Sequence, residues 1–315
     1  MNPHVFSVGL QTEFRGVTIR EGVLLHGDAG WGEFSPFLEY GPRVAAPWFR
    51  AAREAADEGW PDPLRMTVPV NVTVPAVGPE HSAAIVTDSS GCRTAKVKVC
   101  EPGQSLGDDL ARLEAVRDAL GADGHIRVDV NGLWSVDEAT TLIPFLERAA
   151  GGLQYVEQPC ETVEDLAAVR RAVDVPIAAD ESIRYGDPCR VRDLEAADVA
   201  VLKVQPLGGV RACLRVAQDI GMPVVVSSAL ETSVGIAAGV ALAAALPELP
   251  FACGLATVQL LTDDVAMYPL LPLDGELPVV RPDVDPDALV RTAAANDRVE
   301  HWVQRIAEIA QDPST

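Results

Sequence analysis

Short apolar runs alternate with longer amphipathic stretches along the chain from about residue 67 onward. The apolar runs are β-prone, and several are hydrophobic on both faces, as strands are in a sheet that helices cover. They lie at residues 67–74, 94–99, 125–131, 153–159, 175–182, 198–206, 223–230 and 250–256. Eight such strands alternating with helices predict parallel βαβ units.

Helix start signals stand between several of these runs. They have the spacing of a capping box or of its aspartate variant, at Ser105 with Asp108, Ser135 with Glu138, and Thr162 with Asp165. The charge-free stretch at residues 232–247 is rich in Ala and Gly. It is too weakly apolar to span a membrane, so it predicts a packed helix.

A closed barrel and a doubly wound open sheet both fit this alternation. The count of eight strands favours the barrel, and so does the absence of a Gly-x-Gly-x-x-Gly fingerprint after the first strand. The first part of the chain differs, because "GVTIREGVLL" and "GWGEF" resemble antiparallel strands and residues 43–59 resemble a helix. Residues 285–312 predict one more amphipathic helix that packs back on this first part.

These patterns predict an α/β protein with three segments. Residues 1–66 form a small α+β segment, and residues 67–265 form a TIM-like barrel that carries the functional site. Residues 266–315 form a C-terminal segment that packs back on residues 1–66.

Composition and charge narrow the range of partners. The chain has 315 residues, 48% of them hydrophobic, and a formal net charge of −21 without any basic run. Nucleic acids and anionic membranes are therefore poor partners, whereas a small anionic substrate needs local cations or a metal. The six cysteines form no Cys-x-x-Cys pair, and the N-terminus has no secretory signal pattern. Both features favour a cytoplasmic protein with free thiols.

Two lysines stand one residue apart in the apolar run "TAKVKV". Side chains at alternate strand positions share a face, so Lys96 and Lys98 point the same way, and burying two ammonium groups side by side is costly. The neighbouring predicted strands also end in polar residues: Asp129 with Asn131, Glu157, Asp180 with Glu181, and Lys203. In a barrel these strand ends converge at the C-terminal mouth, so together they predict one site.

The residue types in this set indicate the chemistry. Taken singly, each has an ordinary structural explanation, such as an exposed strand edge, a helix N-cap or a surface lysine. Together, three carboxylates on adjacent strands form an oxygen cage suited to Mg²⁺, with a lysine on either side. The metal stabilises the charge that forms when a proton leaves the α-carbon of a carboxylate substrate, giving an enediolate. The charge of Lys96, with the metal, lowers the pKa of Lys98 so that Lys98 acts as a base.

The order of these residues resembles the enolase superfamily and, within it, the muconate lactonizing subgroup. The matching motifs are "KVK" at 96–98, "DVN" at 129–131, "VEQP" at 156–159, "ADES" at 179–182 and "LKVQPLGG" at 202–209. The resemblance covers nearly the whole chain and implies a (β/α)₇β barrel with a capping domain. It implies Mg²⁺, or Mn²⁺ as a substitute, on Asp129, Glu157 and Asp180, with Lys98 as the base, Lys203 as the opposite cation, and Asn131 and Glu181 as supporting partners.

Two further stretches, "GWGEFSPFLEY" and "SSALETSVG", resemble the o-succinylbenzoate synthase family in its compact actinobacterial form. That resemblance implies syn-dehydration of 2-succinyl-6-hydroxy-2,4-cyclohexadiene-1-carboxylate, a step of menaquinone biosynthesis. Candidate contacts for the substrate are Ser227, Ser228 and Gly254 after the last strands, and Arg15 and Arg20 in the part of the chain that forms a flap in this family. The serines could equally be ordinary turn residues.

Other activities stay open at this level. The segment "CGLATVQLL" has no Asp-x-Asp pair, which argues against a dipeptide epimerase, and Pro206 stands where relatives that racemise N-succinylamino acids tend to have an arginine. Racemisation or another cycloisomerase or epimerase reaction is the alternative, and a non-catalytic anion-binding barrel is a remote one. Charge and length do not set the oligomeric state, and no large interface is evident, which favours a monomer.

Overall fold

The N-terminal part of the chain is a small antiparallel sheet packed on a helix in the computed structural model, which describes residues 4–311. The predicted end segments reach residues 1–3 and 312–315, which lie outside the described residues. The elements are β1 (His4–Phe14), β2 (Val17–Gly27), β3 (Gly30–Phe34) and α1 (Pro42–Arg53), and α1 continues as a π-helical turn at Glu54–Glu58. We call residues 4–58 the N-terminal segment.

The strands of this segment pair in the order β1–β2–β3. The sequence predicted β2, β3 and the helix but not β1, although the apolar and polar residues of "HVFSVGLQTEF" partly alternate. Arg15 and Gly16 form the tight turn between β1 and β2, both with positive φ, of 53° and 74°. This turn carries the tip of the hairpin, and with it Arg15, towards the mouth of the barrel.

The rest of the chain is built around parallel strands that alternate with helices. The strands are β4 (Thr67–Pro69), β5 (Val72–Val74), β6 (Thr94–Lys98), β7 (His125–Asp129), β8 (Val156–Glu157), β9 (Ile177–Ala179), β10 (Val199–Lys203), β11 (Val224–Ser227) and β12 (Glu276–Pro278). The helices are α2 (Pro79–Thr87), α3 (Leu106–Leu120), α4 (Val136–Ala150), α5 (Val163–Ala172), α6 (Glu181–Arg184), α7 (Pro188–Asp193), α8 (Val204–Leu207), α9 (Val210–Ile220), α10 (Ser233–Ala245), α11 (Pro286–Arg291) and α12 (Asn296–Gln311).

Seven of these strands, β5 to β11, form one curled parallel sheet in chain order within residues 4–311. The predicted eighth strand is reduced to two bridging residues: Cys253 bridges Val70 and Gly254 bridges Ser227, both in parallel. A Cβ on Gly254 would lie 2.6 Å from the Ser227 hydroxyl, so glycine permits this close approach. The predicted barrel class is confirmed, with its seam closed by short bridges.

The first predicted strand divides in two. β4 pairs antiparallel with β12 from the C-terminal part, whereas β5 belongs to the parallel sheet. The predicted N-caps are confirmed: Ser105 and Ser135 form capping boxes, and the Thr162 hydroxyl accepts a hydrogen bond from the amide of Asp165. The packed helix predicted at residues 232–247 is α10, which is buried along nearly its whole length.

The predicted C-terminal helix is wrong in one respect, because it is two helices, α11 and α12. The chain between them pairs with β1: the amide of Ser7 donates to the carbonyl of Thr292, and the amide of Ala294 donates to the carbonyl of Val5. These bonds use backbone groups that a continuous helix would need. Trp302 of α12 packs in one apolar cluster with residues of the N-terminal segment, as predicted. The three-segment division itself stays a prediction.

No helix among the described residues is long and apolar enough to cross a membrane. All six cysteines are free thiols. The largest apolar cluster lies between the parallel sheet and its helices, and it contains strand residues such as Val97, Val128 and Leu202.

Gly32 of β3 packs directly against the backbone of α1. A Cβ at Gly32 would lie 2.0 Å from the backbone carbonyl oxygen of Ala52, which no side-chain rotation relieves. We expect Gly32→Ala to lower the free energy of unfolding by about 2 kcal/mol, as overpacking does. Urea denaturation measures this, with Gly107→Ala in α3 as control, since a Cβ there meets only an ordinary 3.5 Å contact. Equal stability of the two variants would contradict the expectation.

Candidate active site

The three lysines of the chain all lie at one place, around the carboxyl ends of the barrel strands. Lys96 and Lys98 belong to β6, and Lys203 ends β10. All three side chains are at least nine-tenths buried. The sequence prediction that β6 buries two ammonium groups on one face therefore agrees with the structure.

The predicted carboxylates stand between these lysines. Strand register places Asp129 beside Lys98 and Glu157 beside Asp129, and Asp180 directly follows β9. The Lys96 ammonium lies 2.9 Å from Asp129 and 2.6 Å from Glu157. Asp129 also pairs with Lys98, and Asp180 lies 2.6 Å from the ammonium of Lys203. Three adjacent carboxylates are thus flanked by lysines from β6 and β10, and ion pairs join the two kinds of charge.

Burial and these ion pairs shift the pKa values of the lysines in opposite directions. Burial lowers the pKa of Lys98 to about 8, and the charges of Lys96 and Arg15 act in the same direction against the attraction of Asp129. Burial also disfavours the charged form of Lys96, but the carboxylates around it outweigh that cost and raise its pKa. The charge of Lys96 acts on the pKa of Lys98 in the direction expected from the sequence, with burial as the larger cause, and the role of Lys98 as a base stays a prediction.

The three carboxylates also differ in the direction in which their pKa values are shifted. Burial, reinforced by the charge of Asp129, raises the pKa of Glu157 to about 7. The pKa of Asp129 is lowered instead, because Lys96 and Lys98 outweigh its burial. Arg184 and Lys203 do the same for the pKa of Asp180. Glu157 is therefore the carboxylate whose charge is least compensated.

The two supporting residues predicted beside the site are in contact with it. The side-chain oxygen of Asn131 accepts a hydrogen bond of 2.7 Å from Lys98, and its amide group donates to Glu181 at 3.3 Å. Arg184, which the sequence reasoning missed, donates to both Asp180 (3.1 Å) and Glu181 (2.7 Å). Its spacing three and four residues after these acids, on one helical turn, is a signal that could have revealed it.

A cavity of about 130 Å³ opens at these side chains. Of the predicted substrate contacts, Arg15, Ser227, Ser228 and Gly254 line it, together with Lys96, Lys98, Asp129 and Lys203. Arg20 is not among the described residues that line it. It is 3% exposed and donates instead to the backbone carbonyls of Leu230 and Ser35.

Aromatic side chains from the N-terminal segment cover the cavity, and the sequence reasoning did not identify them. Phe14, Phe37 and Tyr40 all line it. The ring of Phe14 lies 5.3 Å from the ammonium of Lys98, and the hydroxyl of Tyr40 contacts that of Tyr185 across the mouth. Their half-buried rings form an apolar part of the cavity wall.

The donor set fits a hard divalent cation by its chemistry. Asp129, Glu157 and Asp180 supply oxygen ligands on three adjacent strands, the type that Mg²⁺ prefers. Within residues 4–311, no three acidic, histidine or cysteine side chains stand together as a preformed metal cluster. Lysine ammonium groups also pair with these carboxylates, and Lys96 contacts both Asp129 and Glu157.

Comparison with protein families gives two matches along the chain. Residues 5–56 match a family described as "Enolase N-terminal domain-like", and residues 80–286 match one described as "Enolase C-terminal domain-like". Among curated proteins, the o-succinylbenzoate synthase of Thermobifida fusca (strain YX) is 62% identical over 315 residues, covering 100% of this chain and 93% of that protein. That of Mycolicibacterium smegmatis is 53% identical over 304 residues, covering 96% and 93%.

Solved structures share the fold at lower identity. The muconate lactonizing enzyme from Pseudomonas fluorescens, complexed with muconolactone, aligns with a TM-score of 0.80 at 22% identity, covering 93% of this chain and 98% of that one. The L-Ala-D/L-Glu epimerase from Bacillus subtilis, in a substrate-liganded complex, aligns with a TM-score of 0.75 at 24% identity, covering 90% and 96%. At these identities the likenesses show the fold alone.

Proposed function

We propose a function for the cavity on the premise that this chain belongs to the o-succinylbenzoate synthase family of the enolase superfamily. In this proposal, the cavity dehydrates 2-succinyl-6-hydroxy-2,4-cyclohexadiene-1-carboxylate to o-succinylbenzoate. The chain is an enzyme of the lyase class, a hydro-lyase. The observation that carries the proposal is that Lys98 and Lys203 line one cavity from strands β6 and β10. The reaction would serve menaquinone biosynthesis.

Lys98 is the base in this proposal. Its lowered pKa of about 8 makes the neutral amine accessible near neutral pH, and a base must be neutral to take a proton. The Lys98 amine takes the proton from the carbon that bears the substrate carboxylate, leaving the electron pair as an enediolate. The C–O bond then breaks, and the hydroxide leaving on the same face takes the proton back from Lys98 as water.

Lys203 supports the reaction as a fixed cation. It enters the cavity from β10, four strands along the sheet from the β6 strand of Lys98. Its ammonium is held by Asp180 at 2.6 Å and would face the ring on which negative charge develops. Asn131 holds the amine of Lys98 at 2.7 Å and so orients the base.

Asp129, Glu157 and Asp180 would hold Mg²⁺, or Mn²⁺ as a substitute. When bound, the metal supplies positive charge that stabilises a dianionic enediolate. Lys96 forms ion pairs with two of these carboxylates, Asp129 and Glu157. We expect Lys96 to keep its positive charge near Lys98 and so to favour the neutral form of the base.

The second carboxylate of the substrate, on its succinyl group, needs hydrogen-bond donors. Ser227, Ser228 and Gly254 line the cavity beside Thr257, and the hydroxyl of Ser228 is 2.8 Å from that of Thr257. Arg15 lines the same cavity, and its side chain is 44% exposed. We propose these residues as the substrate contacts, and Arg20 as an indirect one.

The test is turnover of the synthase substrate, followed as loss of the cyclohexadiene absorbance with and without Mg²⁺. We expect metal-dependent formation of o-succinylbenzoate. No turnover of this substrate with a folded, metal-loaded protein would contradict the proposal.

Racemisation of N-succinylamino acids is the second candidate, because the cavity holds two lysines on different strands and a two-base reaction needs both. We expect it to be the slower reaction, since Lys203 acts as a cation held by Asp180. Proton exchange of an N-succinylamino acid in D₂O, followed by NMR, measures it against dehydration under the same conditions. Faster racemisation than dehydration would reverse the order of the two candidates.

A further inference from the structure

Glu33 joins the N-terminal segment to the barrel through a buried carboxylate. It lies near the end of β3 and is 2% exposed. Its oxygens accept hydrogen bonds from the hydroxyl of Ser35 at 2.6 Å, the backbone amide of Thr232 at 3.1 Å, and the backbone amide of Gly235 at 3.0 Å. The hydroxyl of Thr232 donates to it as well. Three of these four bonds come from the start of helix α10.

These bonds complete the N-terminus of α10. Thr232 is its N-cap, and the four amides of its first turn have no partner within the helix. The amide of Ser233 donates to Asp264, and that of Val234 to the hydroxyl of Thr232. Glu33 accepts the other two, from Thr232 and Gly235, which are the N-cap and N3 positions.

In an ordinary capping box, the acidic side chain at N3 accepts a hydrogen bond from the amide of the N-cap residue. In α10 this bond goes to Glu33, which belongs to the N-terminal segment. The N3 residue of α10 is Gly235, which has no side chain of its own for this role. A Cβ at Gly235 would lie 2.5 Å from the Cβ of Glu231 and 2.9 Å from a carboxylate oxygen of Glu33. The glycine thus leaves space for the carboxylate that replaces its missing side chain.

The chain that precedes α10 forms a wall of the proposed active site. Residues 227–232, here called the β11–α10 loop, connect β11 to α10, and Ser227, Ser228, Ala229 and Leu230 line the cavity. Leu230 has a φ of 64°, a strained conformation for a leucine that its surroundings must maintain.

Arg20 holds this strained residue directly. Its guanidinium donates to the carbonyl of Leu230 at 3.0 Å and also to the carbonyl of Ser35, and it lies 4.4 Å from the centre of the Phe37 ring. Glu33 fixes the end of the loop at Thr232, two residues further on. The β11–α10 loop is thus held at two points by the N-terminal segment.

We propose that Glu33 and Arg20 are positioning residues, which set the conformation of the β11–α10 loop and through it the binding of the substrate. This inference rests on the function proposed above for the cavity. Neither side chain is among the described residues that line the cavity, so each acts through the loop. The N-terminal segment would then control the site through the barrel backbone in addition to covering it.

A second glutamate offers a matched control. Glu54 of the N-terminal segment accepts hydrogen bonds from the amides of Val210 and Arg211, at 2.5 and 3.1 Å, at the start of helix α9. A glycine again makes the space, since a Cβ at Gly209 would lie 2.2 Å from a Glu54 oxygen. Residues 208–211 are not among the described residues that line the cavity. Glu54 thus makes the same kind of bond without reaching the site.

The experiment compares Glu33→Gln with Glu54→Gln. A glutamine at either position keeps the shape but removes the negative charge and replaces one of the two accepting oxygens by an NH₂ group, so the amides at the helix start bond to a neutral and weaker acceptor. We expect both variants to have a lower Tm. We expect only Glu33→Gln to raise KM for the cyclohexadiene substrate, by about tenfold, because misplaced binding groups impair recognition. If both variants lower Tm and leave KM unchanged, Glu33 is only structural and the proposal fails.

Hydrogen–deuterium exchange provides a readout that does not depend on turnover. In the substrate-free protein, Glu33→Gln should increase exchange in peptides covering residues 227–235, and Glu54→Gln should do so in peptides covering 208–213. Unchanged exchange at 227–235 would overturn the positioning role. Increased exchange there in a protein that never dehydrates the substrate would contradict the proposed function and leave the loop contact supported.

Thr232→Val is a milder variant for the case that Glu33→Gln does not fold. It removes one donor to Glu33 and the hydroxyl that accepts from the amide of Val234, at nearly constant volume. Thr232→Ser keeps both bonds and should restore the wild-type KM. A raised KM in both variants would point to packing at this position and count against the proposal.

Discussion

Lys98→Ala should lose nearly all dehydratase activity, with kcat lower by about 10²–10⁴-fold, the range that a positioned general base contributes. The reason is that Lys98 combines a lowered pKa with a place on the cavity wall, held by Asn131 at 2.7 Å. Stopped-flow or steady-state absorbance of the cyclohexadiene measures the loss. Thermal unfolding of the variant shows whether the fold survives.

Lys98→Arg separates the role of base from that of charge. An arginine keeps the positive charge but cannot lose its proton in a protein, so it should be as inactive as the alanine variant. Substantial turnover by Lys98→Arg would contradict the assignment.

In the wild type, kcat/KM should rise with pH and level off at or below about pH 8, because Lys98 must be neutral to act and a bound cation favours its neutral form further.

Removal of the divalent metal should have an effect of similar size. We expect turnover to fall on the order of 10³-fold in excess EDTA and to return with Mg²⁺, since a Lewis acid contributes several kcal/mol of charge stabilisation. Turnover that persists in EDTA would contradict the metal assignment. The fold itself should survive, because Lys96 and Lys203 also compensate the negative charge of Asp129 and Asp180.

Glu157→Gln tests the ligand set more directly. It removes one charge at constant shape and leaves the Lys96–Asp129 pair intact, with its nitrogen and oxygen 2.9 Å apart. We expect Mg²⁺ binding, measured by calorimetry, to weaken together with activity. Glu164→Gln is a suitable control, because Glu164 is an exposed carboxylate that pairs with the exposed Arg190. Equal Mg²⁺ affinity in the two variants would contradict a role for Glu157 in binding the metal.

Local signals in the sequence were sufficient for much of the barrel. Each βα unit has its own apolar run and its own helix cap, as at Ser105 and Ser135, and these depend on neighbours within a few residues. The strand-end residues followed from the same pattern, because parallel strands bring their ends together whatever lies between them. The lysine pair on β6 was recognisable because burial of two like charges needs a special reason.

Long-range pairing explains what the sequence did not reveal. The C-terminal helix breaks because residues 292–294 bond to β1, nearly the full chain length away. The eighth strand shrinks to Cys253 and Gly254 because short bridges suffice to close the seam. Arg20 was expected to meet substrate, but its donors go to two backbone carbonyls that no local pattern identifies. The cap from Glu33 to α10 spans about 200 residues and was missed for the same reason.

The concentration of every lysine at one site makes this chain unusually simple to label. Arginine supplies all the other basic side chains, 22 of the 25, so an amine-selective acylating reagent has no surface lysine to consume it. Acyl groups found by mass spectrometry on peptides with Lys96, Lys98 or Lys203 report directly on access to the cavity. A bound ligand would appear as reduced acylation of these three lysines, with almost no signal from other amines of the protein.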